Sequence, residues 1–316
     1  MGQLSFDVRL RFVHHLIGVI FLAKELAISA APHRPTPGGF AALPIGFFRK
    51  LWLYGLLLCG AAIMVLPFLW MISASFKPNN DVFTFPIEWL PKVVRWENYV
   101  QIWQRINFLT YYKNTVWLTA VVMFNSLVTS SLAAYAFAKI HFPERKALFL
   151  LYVMTMAVPF QVIMIPQFVI LKSLGLNDTL WALVLLQSFS PFGVFLIRQA
   201  FMGIPEELSE SARIDGLSEF GIYSRIMLPL TKPALSSFAI FQFVFVWNDF
   251  LGPLIYLTSD KNKTIQLGIR MFITQNGVEY GLIMAASVCA LIPVILIYTF
   301  FQKYFIQGIA TTGLKG

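Results

Sequence analysis

The densest run of groups able to make specific polar contacts lies between Gly203 and Pro229 of this 316-residue chain. It opens Gly-Ile-Pro-Glu-Glu-Leu-Ser-Glu-Ser-Ala-Arg-Ile-Asp-Gly. Pro205 suits a first helical turn, and Glu206, Glu207 and Glu210 stand where the helix dipole favours acids. Gly216 supplies a residue that can turn left-handed and stop the helix. Leu208, Ser211, Ala212 and Asp215 share one helical face. Ser218 is placed to cap a second short helix that carries Leu217, Phe220, Gly221 and Ser224 on one side and ends before Pro229. The spacing predicts a helix–turn–helix that exposes a small, apolar-centred docking face to the cytoplasm.

The other reactive side chains form no constellation. Neighbours on a helix point apart, so His14 and His15 do not make a metal site, and His33 and His141 add nothing to them. Cys59 and Cys289 each sit in an apolar run, which suits packing better than redox chemistry. The motif G-x(4)-G-K-[ST], which cradles nucleotide phosphates, is absent from the sequence, so no ATP site is expected. Within apolar stretches stand Asn125, Gln161, Gln187, Gln242, Asn248 and Asp249, the last three near Trp247. Uncharged donors and acceptors beside aromatic rings suit sugar hydroxyls and apolar ring faces. The same groups also serve as hydrogen bonds between helices.

These residues must be positioned by elements built for lipid. The chain is 58% apolar and 12% charged, too little charge to cover a soluble protein of this length. Its net positive balance comes without a basic cluster or an aromatic-basic stripe, so nucleic acid is not the expected partner. A bilayer core of about 30 Å needs roughly 20 apolar residues of helix. Six stretches qualify, near 51–73, 115–138, 147–170, 179–202, 233–257 and 282–302. Only helices satisfy their own backbone in lipid at such lengths, so an all-α, polytopic bundle of six membrane helices is expected. Pro67, Pro159, Pro166, Pro191, Pro253 and Pro293 kink its members.

Positive residues orient the bundle. Lys139, Arg145 and Lys146 fall in the short loop 139–146, against Lys172 alone in 171–178, so both termini are expected in the cytoplasm. Phe12 to Ala31 is apolar but interrupted by Lys24 and Glu25, which favours an interfacial helix over a further span. Pro32 to Pro44 makes a flexible connector. The expected organisation is an N-terminal segment, 1–50, followed by a membrane domain, 51–316, with the polar loop at 203–232.

The order Glu210-Ser211-Ala212, three residues, Gly216, nine residues, Ile226-Met227-Leu228-Pro229 resembles the EAA loop of ABC-importer permeases, E-A-A-x(3)-G-x(9)-I-x-L-P. Ser211 replaces the middle alanine, and Asp215 before the glycine also matches. Phe245 to Leu254, FVWNDFLGPL, resembles the W-N-[DE]-F-x-x-P-L stretch of carbohydrate importers. The closing FQKYFIQG…GLKG is similar to the end of the maltose-type second permease. The likeness covers roughly residues 50–316.

The resemblance implies the type I ABC importer permease fold in a bacterial cytoplasmic membrane. It implies two ATP-binding subunits, a second homologous permease, an extracytoplasmic solute-binding protein and a sugar or oligosaccharide substrate. ATP and Mg would reside in the partner subunits. Coupling to them would fall to Glu206, Glu210, Ser211, Ala212, Asp215, Gly216, Leu217, Phe220 and Pro229. The substrate pathway would draw on Asn125, Gln187, Gln242, Trp247, Asn248 and Asp249. By the same likeness the segment 261–281 would meet the binding protein and the C-terminal tail would reach between the ATPase subunits. Two other classes fit less well. A secondary transporter would carry several intramembrane carboxylates, whereas Asp249 is nearly alone. A purely structural membrane subunit would not explain the loop spacing.

Overall fold

A computed structural model describes residues 45–275 and 277–313, with side chains over 50–275 and 277–302. The expected helix at 12–31 and the connector after it lie outside the described residues. The chain divides into two compact units, one ending at Val94 and one beginning at Arg95. In the first, helix α1 (Ile45–Ser75) runs into a turn held by its own side chains. There Ser73 Oγ donates to the Trp89 carbonyl and Lys77 Nζ to the Glu88 carbonyl, while the Lys77 ammonium sits 4.3 Å above the Trp70 ring.

The second unit begins with α2 (Glu97–Arg105) and the long α3 (Phe108–Lys139), followed by α4 (Arg145–Met154) and α5 (Phe160–Ser173). Next come α6 (Leu180–Gln187), α7 (Pro191–Met202), α8 (Glu207–Ile214) and α9 (Glu219–Ile222). The unit closes with α10 (Lys232–Trp247), α11 (Leu251–Tyr256), α12 (Ile265–Arg270) and α13 (Tyr280–Gly313). A two-residue hairpin pairs Ile273 with Val278.

Over the whole chain, four stretches among the described residues are long and apolar enough to cross a membrane unaided: Lys50–Ser75, Phe108–Lys139, Leu180–Met202 and Tyr280–Gln302. Two more do so only as bent pairs. The expected span 147–170 is one of them: a 101° bend separates Arg145–Ala157 from Phe160–Ser173. Pro159 causes it, because it cannot donate to the preceding turn and pushes Val158 out of helical geometry to ψ 116°.

The expected span 233–257 also needs correction. Its helix α10 ends at Trp247, and Asn248 to Phe250 break it from α11. Sixteen residues rise only about 24 Å, short of the hydrocarbon thickness. On the other side, α10 is preceded by a bent partner, Glu219–Leu230, at 78°. The second loop helix therefore does not end before Pro229, as its sequence suggested. It continues through a π-helical turn, Tyr223–Met227, to Leu230. Pro229 sits where the π-helical turn passes into the last short segment, Leu228–Leu230, and the helix ends one residue later with Thr231 as its cap.

Helix α3 is the axis of the unit, packing along α7, α6 and α10, while α10 packs along α13. It supplies residues to three buried clusters in succession. Phe108 joins Ile102, Ile265, Phe272 and Leu282. Leu118 and Val122 join Leu183, Val246 and Tyr256. Ala134 and Tyr135 join Ile197, Phe201, Ala212, Tyr223 and Phe238. The third cluster is tight because Gly193 lets α7 approach α10; a Cβ there would stand 2.3 Å from the Phe238 ring.

Candidate coupling site

The loop between Gly203 and Leu230 is built from local rules. Helix α8 ends in a left-handed glycine, Gly216, at φ 83°. The Gly216 N–H returns to the Arg213 carbonyl at 3.0 Å and the Leu217 N–H to the Ala212 carbonyl at 3.0 Å. This pair of bonds is the Schellman arrangement, which satisfies carbonyls the helix end would otherwise strand. Ser218 then caps α9 by accepting from the Gly221 N–H at 3.3 Å.

The orientation of α8 differs from the expectation. Ala212, placed by the sequence at the centre of an exposed face, is buried, with Ser209 beside it. Ala212 and Leu217 pack into the cluster around Phe201 and Tyr223. A small side chain at 212 lets α8 lie close on the membrane helices of its own chain. The outward face is a different set. Ile214 is 87% exposed and Phe220 70%, with Leu208 at 43%; Glu207, Glu210, Ser211 and Asp215 are also exposed. Pro229, at the far end, is exposed as well.

A polar latch ties this loop to the end of α3. Lys139 is 4% exposed, and its Nζ donates to the Ile204 carbonyl at 2.8 Å and to Glu206 Oε2 at 2.9 Å. A buried ammonium needs such partners, since desolvation without them is costly. One turn earlier, the Tyr135 hydroxyl donates to Glu219 Oε2 at 2.6 Å. Arg213 links the two acids: its Nε donates to Glu219 Oε1 at 2.8 Å and its Nη1 stands 3.7 Å from Glu206 Oε1. The Arg213 guanidinium, with the Tyr135 hydroxyl beside it, holds the Glu219 carboxyl below the usual glutamate value. Tyr135 and Lys139 are four residues apart on one helix face, so both reach the same loop.

Sequence reasoning missed Tyr135, Lys139, Arg213 and Glu219. Lys139 was read only as one of the positive residues that orient the bundle. Arg213 and Glu219 flank the Gly216 stop, where helical periodicity no longer relates them.

The residues expected along a substrate pathway divide. Gln187, Gln242 and Asp249 form one network: Gln187 Nε2 donates to Asp249 Oδ2 at 2.7 Å, and Gln242 Nε2 donates to the Gln187 carbonyl at 3.2 Å. The other carboxylate oxygen of Asp249 accepts the Gly252 N–H at 3.2 Å. These groups join α6 to α10 and stitch the break before α11. Trp247 is 2% exposed, stacks on Phe243 and donates its ring N–H to the Ala290 carbonyl at 2.9 Å. It is a packed anchor between α10 and α13. Asn248 is exposed, its amide turned back to the Val244 carbonyl at 2.9 Å. Asn125 is half-buried and lines a depression with Thr129, Trp181, Ser188 and Phe189, apart from the others. Among the described residues no group of His, Cys, Asp and Glu could hold a metal ion.

Comparison with known proteins accords with this architecture. The family described as binding-protein-dependent transport system inner membrane component matches residues 126–311. The arabinooligosaccharides transport system permease protein AraQ of Halalkalibacterium halodurans is 37% identical over 259 residues, covering 81% of this chain and 93% of that protein. Protein LplC of Bacillus subtilis is 35% identical over 269 residues, covering 81% and 90%. The lactose transport system permease protein LacG of Rhizobium radiobacter is 29% identical over 255 residues, covering 81% and 93%. In three dimensions the chain is similar to a component of a bacterial ABC transporter involved in the import of the acidic polysaccharide alginate. That match has a TM-score of 0.72 at 24% identity and covers 85% of this chain and 100% of that one.

Proposed function

Because the chain belongs to the binding-protein-dependent transport system inner membrane component family, we propose that it pairs with a second permease to form the path of an importer. Its cargo is a sugar or oligosaccharide delivered by an external binding protein; the names of the relatives AraQ and LacG support that class. Energy comes from two ATP-binding subunits that hold ATP and Mg, and this chain binds neither. The loop from Gly203 to Leu230 faces the cytoplasm with both termini, in line with the positive residues Lys139, Arg145 and Lys146 at the same end of the bundle.

The observation that carries the reading is the outward face of that loop. Ile214 and Phe220 are large, apolar and 87% and 70% exposed on a segment held rigidly from behind by Lys139 and Tyr135. A membrane helix exposes such groups to lipid, but a polar loop has reason to expose them only to a protein partner. Glu207, Glu210 and Asp215 supply the polar rim around them.

Purification from the native membrane through a tag on this chain tests the proposal. An ATPase should co-purify with the unaltered chain. Ile214→Asp and Phe220→Asp should each reduce the recovered ATPase at least about tenfold, the loss of about 1.4 kcal/mol or more expected for a central apolar contact. Equal recovery from the unaltered and doubly substituted chains would remove the loop from the interface.

A further inference from the structure

The helix that latches the loop at one end is anchored with equal care at the other. Tyr111 donates its hydroxyl to Asp260 Oδ1, and Asn107 donates its amide to Asp260 Oδ2. Asn114 Nδ2 donates to the Lys261 carbonyl at 2.8 Å and to the Lys263 carbonyl at 2.9 Å. Thr115 Oγ1 accepts the Ile265 N–H at 2.9 Å. All four side chains belong to α3 or the residue before it, and all hold the segment 258–265. Tyr111 and Tyr135 are separated by about 36 Å along the helix axis, slightly more than a hydrocarbon core. Between them α3 has no proline and no break, while the expected third and fifth spans are both interrupted. It also contributes to each of the three buried clusters.

We propose that α3 is a strut that carries displacement of the coupling loop across the membrane to the segment 258–265, with Tyr135 and Lys139 as positioning residues at one end and Tyr111 and Asn114 at the other. The inference rests on the importer reading above. A continuous helix is stiff along its axis, and its attachments at both ends are direct hydrogen bonds from its side chains. The chain reaching α10 directly from the loop is a poorer carrier, because a 78° bend at Thr231 and the break after Trp247 both absorb motion. Movement of the loop is then delivered to the opposite surface mainly through side chains of α3 rather than along the contiguous backbone.

The test uses the complex isolated from its native membrane, in a chain carrying Cys59→Ala, Cys289→Ala and Lys261→Cys. A spin label on the new thiol reports on the segment 258–265. The probe is Mg-ATP with vanadate, which traps hydrolysing ATPase subunits. With the strut intact, trapping should change the label's spectrum. Tyr135→Phe combined with Lys139→Met should abolish that change while ATP hydrolysis continues. Tyr111→Phe combined with Asn114→Ala should abolish it as well, with the coupling end untouched, so a folding defect at one end cannot account for both results. A complex that hydrolyses ATP but shows no spectral change before substitution, or keeps it in either variant, overturns the strut alone. A preparation that binds no ATPase overturns the importer reading and the strut with it.

Discussion

The Lys139 ammonium lies 2.9 Å from the Glu206 carboxylate although the two residues stand 67 positions apart, one closing a membrane helix and the other opening a polar loop. The Lys139 side chain is 4% exposed and that of Glu206 is 39% exposed, so the pair is half in water. Lys139→Met should leave the Ile204 carbonyl and Glu206 without their donor. We expect a loss of about 1–2 kcal/mol, below the figure for a fully buried pair because water reaches the acid. Faster proteolysis within 203–222, with membrane insertion unchanged, would register it; an unaltered cleavage rate would count against the latch.

Gly216 is left-handed in open space, with nothing within 4 Å of where a Cβ would be. Its substitution is therefore costly through backbone conformation and not through crowding. Gly216→Val should cost about 1–2 kcal/mol and lower uptake. Gly216→Asn should retain most activity, since asparagine tolerates this conformation. Uptake measured in cells at matched membrane levels separates the two, and equal activity of both variants would dispose of the helix-stop account.

At Gly193 the opposite holds, because the backbone is ordinary and the space is full. Gly193→Ala places a methyl 2.3 Å from the Phe238 ring and 2.7 Å from Ser130 Oγ. Overpacking of this kind costs about 1–3 kcal/mol. Combination with Phe238→Leu should recover part of the loss. Thermal denaturation in detergent of the two single variants and the pair gives the coupling, and strict additivity would contradict the contact.

Asp178 supplies a pH-dependent contact outside the spans. Its carboxylate accepts the Thr258 N–H at 2.8 Å, the Ser259 N–H at 2.9 Å and the Ser259 hydroxyl. Desolvation pushes its pKa upward, but the bonds from Ser259 and Thr258 outweigh that and bring it from 3.8 down to about 2. A carboxyl lowered on folding stabilises fully above its unfolded value and loses that contribution as pH falls through its folded value. Amide exchange at 258–262, corrected for intrinsic rates, should therefore be flat above about pH 5 and show progressive loss of protection from about pH 4 towards pH 2. Asp178→Asn should show weakened protection already at neutral pH and a smaller dependence, the remainder belonging to Asp260, whose carboxyl is also held below its usual value by the hydrogen bonds from Tyr111 and Asn107.

Local rules made the loop legible in the sequence. Gly216 as helix stop and Ser218 as cap depend only on neighbours a few residues away, and both occur where the spacing put them. The facing of α8 was not legible. The stripe through Ala212 shows that one side is compact, yet only tertiary packing decides that it meets Phe201 and Tyr223 instead of a partner. Membrane helices were legible where apolar runs are unbroken, as in α3 and α13. Hydropathy averages over a window, so it could not see that Asn248 to Phe250 end α10 or that the polar side chains there bond to one another. The Gln187–Asp249 bond joins residues 62 apart, a pairing no local pattern encodes.

The π-helical turn at Tyr223–Met227 has a geometric consequence of its own. It holds one residue more than an α-helical turn would, and each residue of α-helix represents about 100° of rotation. Removing one residue there would let the turn wind as ordinary helix and swing everything before it, Phe220 and Ile214 included, by about that angle relative to α10. The bearing of the exposed face is thus encoded by a count, not by any side chain, so a single-residue deletion in this turn is a graver change than most substitutions in the face itself.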